Sequence, residues 1–285
     1  MGWWISEPFR GSASSQTPSP AAVGIHKVQG ASWKPELGQP LFIAVLGSDI
    51  RSGPPGGPGG RCDALHIVAI NPAQKAGSVI DIPRDSYVNI PGQGQNRINT
   101  GCFFGGPDFQ TEVLKQVTGI PIQYYVTTEF THFMALIDEL GGVDVNVPYP
   151  MNDPPSGAAF ASAGVIHMGG GQALAFNRNR KDTPKGDFSR TENQGNFIIA
   201  TLAKYRAEAQ DPHRIFDYIR VARRHTKITV PLPELLRMAL LAREIDPANM
   251  KNLPVGGDTG KAGEASVVFM NPGDIFTRVK DDGIY

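Results

Sequence analysis

The segment LFIAVLGS at residues 41–48 decides the fold. Its first six residues form an uninterrupted apolar run, which is typical of a strand buried on both faces of a sheet. Gly47 and Ser48 end the run, and the charged residues Asp49 and Arg51 follow directly. We therefore expect a central strand here, with polar groups at its carboxyl end.

The pattern on either side of this strand alternates between strands and helices. Strands are predicted at residues 64–70, 78–82, 123–127, 143–147 and 267–269, and helices at 108–117, 130–140, 173–176, 187–208 and 233–245. Such alternation predicts an α/β fold with helices on both faces of a sheet. Residues 148–170 have no assignable pattern, and residues 210–285 carry no motif that we can interpret.

Composition suggests one folded domain after a lead-in. The 33 glycines and 24 prolines among 285 residues stay below the share that marks a low-complexity chain. Residues 1–38 are expected to be a stalk or poorly ordered lead-in, and residues 39–285 a single domain. Trp3 and Trp4, beside a Ser/Pro/Ala stretch, fit the outer end of a lost membrane anchor and a disordered terminus equally well.

Charge and cysteine content exclude several classes of protein. The 27 basic and 27 acidic residues balance, which argues against a nucleic-acid partner and leaves any anion to be held by a local cluster. Cys62 and Cys102 are the only cysteines, so a disulfide-dense scaffold and a cysteine-rich zinc site are excluded. They permit either one disulfide or two free thiols.

Charged residues gather next to the predicted strand ends, where α/β sheets bind ligands. Asp49 and Arg51 follow the first strand, Arg61 and Asp63 precede the second, and Arg84 and Asp85 follow the third. Carboxylates near arginines suggest a divalent metal with a phosphate-bearing substrate, because Mg²⁺ prefers oxygen ligands and guanidinium groups match phosphate oxygens. Solvated loops would place charges at strand ends as well.

A second charged segment surrounds the start of the predicted long helix. Arg178 and Arg180 form a basic cluster with Lys181, and they point together only if the backbone there is extended or a helix is ending. Asp187, Arg190 and Gln194 share one helical face. Asp187 is also well placed as the N-cap of the helix, a role that needs no ligand.

Several common catalytic motifs are absent. The chain has no GxxxxGK[ST] loop, no GxGxxG before a helix, no HExxH and no GxSxG. Its six histidines form no set with metal-ligand spacing, and His66 within a strand is interpreted as structural.

Six ordered segments resemble the catalytic domain of the LytR–CpsA–Psr family of cell-envelope proteins. They are LFIAVLGSDIR (41–51), RCDALHIVAINP (61–72), VIDIPRDSYVNIPGQGQNRINTGCFFGGP (79–107), IDELGGVDVNVP (137–148), GGGQALAFNRNR (169–180) and KGDFSRTENQ (185–194). The resemblance covers residues 40–205 and implies an α/β/α sandwich with a central mixed sheet.

The resemblance also implies roles for individual residues. Asp49 and Asp63 would be the ligands of Mg²⁺, with Mn²⁺ as the alternative. The pyrophosphate clamp would consist of Arg61, Arg84, Arg178, Arg180 and Arg190, with Arg51, Asp85, Arg97, Asn99, Asp187 and Gln194 as further substrate-binding residues. Asp85 would orient Arg84 through an ion pair. The helices around residues 103–117 and 130–140 would wall an apolar tunnel for a prenyl tail.

The chain departs from the family pattern at some of these positions. Asn193 replaces an arginine that many members carry, so one phosphate contact is either absent or supplied by Arg97. The usual N-terminal membrane anchor is absent from the sequence. Cys62 and Cys102 lie in motif loops, where a disulfide would brace the metal loop, and an extracellular setting would permit that bond.

The resemblance implies a phosphotransferase that moves a glycopolymer from a polyprenyl-pyrophosphate carrier to the muramic acid 6-hydroxyl of peptidoglycan. Its expected place is outside the cytoplasmic membrane, anchored to the outer face by a segment that this sequence lacks. Two alternatives remain at this point. One is a polyprenyl-pyrophosphate phosphatase that uses water as acceptor, and the other is a non-catalytic domain that binds polyprenyl lipid or regulates.

Overall fold

The structure, a computed structural model, describes residues 24–48 and 60–285. Its strands are β1 (Gly24–Lys27), β2 (Leu41–Ser48), β3 (Cys62–Asn71), β4 (Ala76–Asp81), β5 (Tyr87–Ile90), β6 (Gly94–Arg97), β7 (Tyr124–Glu129), β8 (Val143–Val147), β9 (Met151–Asp153), β10 (Ala158–Phe160), β11 (Gly164–Met168), β12 (Lys227–Ile228), β13 (Met250–Pro254), β14 (Gly256–Ala262) and β15 (Ala265–Asn271). Its α-helices are α1 (Thr100–Thr118), α2 (Phe130–Glu139), α3 (Gly170–Arg178), α4 (Asp187–Glu208), α5 (Pro212–His225), α6 (Leu232–Glu244) and α7 (Ile275–Asp282).

Seven strands form the central sheet in the order β12-β1-β7-β2-β3-β4-β13. β2 pairs in parallel with β7 and antiparallel with β3, and β4 pairs antiparallel with β3 and in parallel with β13. The sheet is therefore mixed, and the predicted fold class is confirmed. Strand β2 occupies its centre, as its apolar run predicts.

Alternate residues of β2 face opposite layers of the domain. Phe42, Ala44 and Leu46 pack in one cluster with helix α1, whereas Leu41 and Ile43 pack on the other face with α4 and α6. Both faces of the strand are covered by helices, which explains why its sequence shows no polar alternation.

A smaller layer lies beside the sheet. The three strands within residues 148–170, for which the sequence shows no pattern, form hairpins: β9 pairs with β10, and β11 pairs with β8. Their apolar side chains cluster with those of α2, α3 and Phe197 of α4. The strands are only three to five residues long and half exposed, so they carry little hydrophobic periodicity.

The lead-in predicted over residues 1–38 is wrong for residues 24–38. Strand β1 joins the sheet between β7 and β12, and Trp33 is buried, with its indole nitrogen donating to the Gln39 carbonyl at 3.1 Å. Tertiary pairing gives order to this short segment, whose own sequence has no strand signal. Residues 1–23 lie outside the described part of the chain.

The C-terminal residues complete the fold. Strand β13 adds an edge to the central sheet, and the hairpin of β14 and β15 includes the strand predicted at 267–269. The helix predicted at 108–117 starts earlier, at Thr100, with a kink at Gly105 and Gly106. Within the described residues, no helix combines the length and the apolar character that a membrane span requires.

Candidate active site

The candidate site lies where three strands of the sheet end. β2, β7 and β4 run in the same direction, because β2 is parallel to β7 and both β2 and β4 are antiparallel to β3. Their carboxyl ends meet at one edge of the sheet, and β3 begins at that same edge. Arg61 and Asp63 at the start of β3 and Arg84 and Asp85 after β4 therefore converge there.

A cavity of about 450 Å³ opens at this edge. Its apolar wall comes from α2, α3 and α4, with the side chains Phe130, Phe133, Leu136, Ile137, Leu174, Phe197 and Ile198. Residues 130–140 thus line the cavity as expected. The second expected wall, residues 103–117, does not, because α1 packs Val113 and Leu114 into the cluster on the opposite face of the sheet.

A second cavity, of about 300 Å³, is lined by Arg61, Asp63, Arg84, Asp85, Arg97 and Asn99. Every one of these residues is among the predicted site residues. Asp63 and Arg84 also line the apolar cavity, so this pair forms the boundary between the two spaces. Together the two cavities are lined by seven cationic and four anionic side chains, which favours an anionic ligand.

Arg84 is the central guanidinium of the site. Its Nη1 lies 2.8 Å from Asp63 Oδ1, and its Nε lies 3.6 Å from Asp187 Oδ2 and 3.7 Å from Asp85 Oδ2. Burial alone would lower the pKa of Arg84, but the Asp187, Asp63 and Asp85 carboxylates outweigh burial and raise it. The ion pair predicted with Asp85 exists, although Asp63 is the closest partner and Asp85 lies nearer to Arg97, at 3.2 Å.

Arg190 is the most deeply buried cation of the site. Its Nη2 donates to Asp187 Oδ2 at 3.0 Å and to the Asp63 carbonyl at 3.1 Å, while its Nε is buried without an acceptor. Burial lowers the pKa of Arg190, with Arg84 and Arg180 adding to the effect against the opposing carboxylates. A bound anion would relieve this cost and accept from the unpaired N–H.

Asp187 does not cap helix α4. Gly186 is the N-cap residue and no side chain caps the helix. The carboxylate turns instead to Arg190 and Arg84, where it meets two positively charged guanidinium groups rather than a backbone N–H. Asp187 lines neither cavity, so its contact with the site is through these arginines.

Helix α3 ends at Arg178, and the following Asn179 is extended, which is the geometry that lets Arg178 and Arg180 point together. Both line the apolar cavity, as does Lys181. The Arg178 guanidinium lies 4.9 Å from the centre of the Phe130 ring. The backbone N–H of Arg180 donates to Asp153 Oδ2 at 3.3 Å.

Sequence reasoning missed two acidic residues of the apolar cavity, Asp153 and Glu129. Asp153 is buried with Oδ1 unpartnered, and it lies on β9, in the segment without a readable pattern. Glu129 ends β7, so the rule that found Asp49 and Arg84 at strand ends would have found it too.

Asn193, the departure from the family pattern, is buried and donates to the Tyr149 hydroxyl at 3.3 Å.

Gln194 lines the apolar cavity and is held by His66. Gln194 Oε1 lies 3.1 Å from His66 Nε2, and since a carboxamide oxygen only accepts, Nε2 donates. His66 Nδ1 lies 2.7 Å from Asp81 Oδ1, its register partner on β4. Gln194 Nε2 donates to the Asn177 carbonyl at 2.8 Å. His66 therefore has a structural role, and part of that role is to hold the site residue Gln194 in place.

Burial dominates the electrostatics of Asp81. Its pKa rises from 3.8 to about 6 because the carboxylate is fully desolvated, while hydrogen bonding and charge from His66 act in the opposite direction. Its Oδ2 has no hydrogen-bond partner. Glycine is required at position 195, since a Cβ there would lie 2.3 Å from Asp81 Oδ1.

The structure describes only one of the two predicted metal ligands. Asp49 and Arg51 lie outside the described residues, so Asp63 is the one predicted ligand with a known position. Its carboxylate is 30% exposed and pairs with Arg84 through Oδ1. Within residues 24–48 and 60–285, no group of three or more His, Cys, Asp or Glu side chains is arranged to hold a metal ion.

A disulfide joins Cys62 and Cys102, which settles the alternative left open by the sequence. It links the first residue of β3 to the first turn of α1, with 5.8 Å between the Cα atoms. Arg61 and Asp63 flank Cys62, and Asn99 precedes α1, so the bond joins two segments that line the polar cavity.

The LytR_cpsA_psr family model matches residues 12–282. A polyisoprenyl-teichoic acid–peptidoglycan teichoic acid transferase, TagU of Bacillus mycoides, is 36% identical over 167 residues, which are 58% of this chain and 53% of that protein. The chain thus aligns with about half the length of the curated relatives it matches.

Solved structures share the fold. TagV of Bacillus subtilis is 25% identical with a TM-score of 0.73, and the alignment covers 86% of this chain and 95% of that one. TagT (YwtF) of the same species, with bound octaprenyl pyrophosphate lipid, is 21% identical with a TM-score of 0.68, and the alignment covers 89% and 94%.

Proposed function

Because the chain belongs to the LytR_cpsA_psr family, we propose that it transfers a glycopolymer from a polyprenyl-pyrophosphate carrier to the muramic acid 6-hydroxyl of peptidoglycan. The relative TagU is named for a reaction of this kind with teichoic acid, and the structural neighbour TagT binds octaprenyl pyrophosphate.

One observation carries the proposal: a cluster of arginines stands where an apolar cavity meets a polar one. Arg84 lines both spaces, and Arg178, Arg180 and Arg190 line the apolar one. A polyprenyl pyrophosphate has the matching shape, with a hydrocarbon tail for the apolar cavity and a doubly anionic head for the arginines. A soluble nucleotide or sugar phosphate would leave the apolar wall unused.

The residues suit phosphoryl transfer, in which the protein positions groups and stabilises charge more than it forms bonds. The acceptor hydroxyl oxygen forms a bond to the phosphorus that carries the glycan, and the bond from that phosphorus to the polyprenyl phosphate breaks. The hydroxyl proton is released, and the products are a phosphodiester and polyprenyl phosphate. Arg84 and Arg190 would stabilise the charge on the phosphoryl oxygens, since both have a buried N–H without an acceptor.

The proposal includes a divalent metal, Mg²⁺ or alternatively Mn²⁺. The donor set fits, because the half-exposed Asp63 carboxylate is a hard oxygen ligand with lone pairs beyond its contact with Arg84. Asp63 and Asp49 would hold the ion, which when bound would neutralise charge on the pyrophosphate. A single positioned carboxylate is compatible with Mg²⁺, which keeps water and phosphate oxygens as its other ligands.

We place this activity at the outer face of the cytoplasmic membrane, where the carrier lipid and peptidoglycan meet. The Cys62–Cys102 disulfide supports an extracytoplasmic location, because structural disulfides persist in oxidising compartments. The apolar cavity supports contact with the membrane, since the tail of the carrier has to leave the bilayer to enter it.

The test uses the purified chain with a polyprenyl-pyrophosphate-linked glycan, peptidoglycan and Mg²⁺. Linked product and released polyprenyl phosphate are quantified together. Arg84→Ala should slow product formation by about 10²–10³, whereas Arg84→Lys should retain part of the rate. Arg243→Gln is the matched control, because Arg243 lies on α6, lines neither cavity and pairs only at the surface with Glu244.

Three outcomes would contradict the proposal. Release of lipid phosphate without linked product would mean a phosphatase, and lipid binding without turnover in either metal would mean a carrier or regulatory domain. Equal rates for the wild type and Arg84→Ala would remove Arg84 from the reaction.

A further inference from the structure

We infer that the polar cavity lined by Arg61, Asp63, Arg84, Asp85, Arg97 and Asn99 is the binding site for the acceptor sugar of peptidoglycan. This inference rests on the proposed function and adds to it the place from which the attacking hydroxyl enters. It also makes Arg97 a residue that binds the acceptor, rather than one that replaces a missing phosphate contact.

The geometry of phosphoryl transfer favours this position for the acceptor. The attacking and leaving oxygens lie roughly in line on opposite sides of the phosphorus. The leaving group is polyprenyl phosphate, and its hydrocarbon tail matches the apolar cavity. With the phosphoryl group at the Arg84–Asp63 boundary, the acceptor oxygen has to come from the far side of that boundary. The space on that side is the polar cavity.

The polar groups that line the cavity also suit a sugar. Three guanidinium groups donate hydrogen bonds. Since Asp63 would hold the metal ion, the Asp85 carboxylate is left to accept from sugar hydroxyls, each of which can donate and accept. Asn99 adds a carboxamide that can do both. The wall is therefore made for an uncharged polyhydroxyl group with anionic substituents near the arginines.

Contacts within the protein hold this wall in shape. Arg97 Nη1 donates to Asp85 Oδ1 at 3.2 Å. The N–H of Asn99 donates to the Arg84 carbonyl at 3.2 Å, and the Cys62–Cys102 disulfide ties α1 to the start of β3. Such a preformed wall lowers the ordering cost of binding.

The test separates acceptor binding from donor binding in Arg97→Gln. Arg97 is 29% exposed, so the substitution leaves the fold intact, and Arg243→Gln, at 31% exposed, is the matched control. Binding of a soluble disaccharide–peptide fragment of peptidoglycan is measured by calorimetry on the wild type and both variants. Donor affinity is measured with fluorescent polyprenyl pyrophosphate, and transfer kinetics give the KM for the acceptor.

Loss of a charge-assisted contact should weaken fragment binding and raise the acceptor KM about tenfold or more. Donor affinity should fall by less than acceptor affinity in Arg97→Gln, whereas Arg243→Gln should leave donor affinity and the rate of lipid-phosphate release unchanged. Equal fragment affinity in Arg97→Gln and wild type would overturn the inference. So would a loss of donor affinity alone, because the cavity would then hold the donor glycan. Failure of the proposed function would be distinct, since it would appear as absence of linked product from the wild type.

Discussion

The buried pair of His66 and Asp81 predicts an unusual dependence of stability on pH. Asp81 is fully buried, and its pKa is raised from 3.8 to about 6, mainly by desolvation. Above pH 6 this carboxylate is ionised in both the folded and the unfolded chain, so the folded state bears the cost of the buried charge. Below pH 3.8 it is neutral in both states, and the cost disappears.

The size of the effect follows from the two pKa values. They differ by about 2.2, and each whole step in pKa corresponds to about 1.36 kcal/mol, so the cost is about 3 kcal/mol above pH 6. Stability relative to an uncharged side chain at this position should therefore fall as pH rises from 3.8 to 6 and stay level above that. Most paired carboxylates do the opposite, because their folded pKa is depressed.

The assay is urea unfolding of the wild type, Asp81→Asn and His66→Gln between about pH 3.5 and 8, at intervals of about 0.5 in pH. The difference in unfolding free energy between wild type and Asp81→Asn isolates residue 81 from other titrating groups. That difference should change by about 3 kcal/mol, to the disadvantage of the wild type at high pH.

In His66→Gln the pH range over which this free-energy difference changes should move to higher pH. The reason is that His66 lowers the pKa of Asp81 through a hydrogen bond and its charge, while Glu192 acts to raise it. A wild-type advantage that grows with pH would refute the reasoning, since Asp81 would then be a stabilising ion in the folded state. A difference independent of pH would refute it as well.

Two further predictions concern the disulfide and the apolar wall. Cys62→Ser with Cys102→Ser should lower the free energy of unfolding by about 4 kcal/mol on the chain-entropy model, since the bond spans 40 residues. Equal urea midpoints with and without the substitutions would contradict a disulfide between Cys62 and Cys102. Phe133→Ala should weaken binding of fluorescent polyprenyl phosphate by about 10- to 100-fold, since it removes a large apolar side chain from the cavity. Phe216→Ala is its control, because Phe216 is exposed on α5 and lines neither cavity. Equal losses of binding affinity in the two variants would refute the assignment of Phe133 to the cavity wall.

Much of the central sheet and its main helices could be predicted from hydrophobic periodicity. Residues 41–46, 64–70 and 187–208 carry strong local patterns, because buried strands are continuously apolar and the long helix has a clear buried stripe. Strand β1 and residues 148–170 could not be predicted. Their short elements are held by pairing with β7 and by packing on α3, contacts that a local pattern does not contain.

Some features of the candidate site could likewise be predicted from the sequence, and others could not. The sequence by itself determined which residue types stand at the strand ends, Asp63 and Arg84 among them, and the family resemblance added Arg190. Only the tertiary structure decided that α4 rather than α1 walls the apolar cavity, and that Asp187 pairs with arginines instead of capping its helix. The reason is physical: spacing along the chain sets which face of an element a side chain occupies, but the packing of distant elements decides what that face meets.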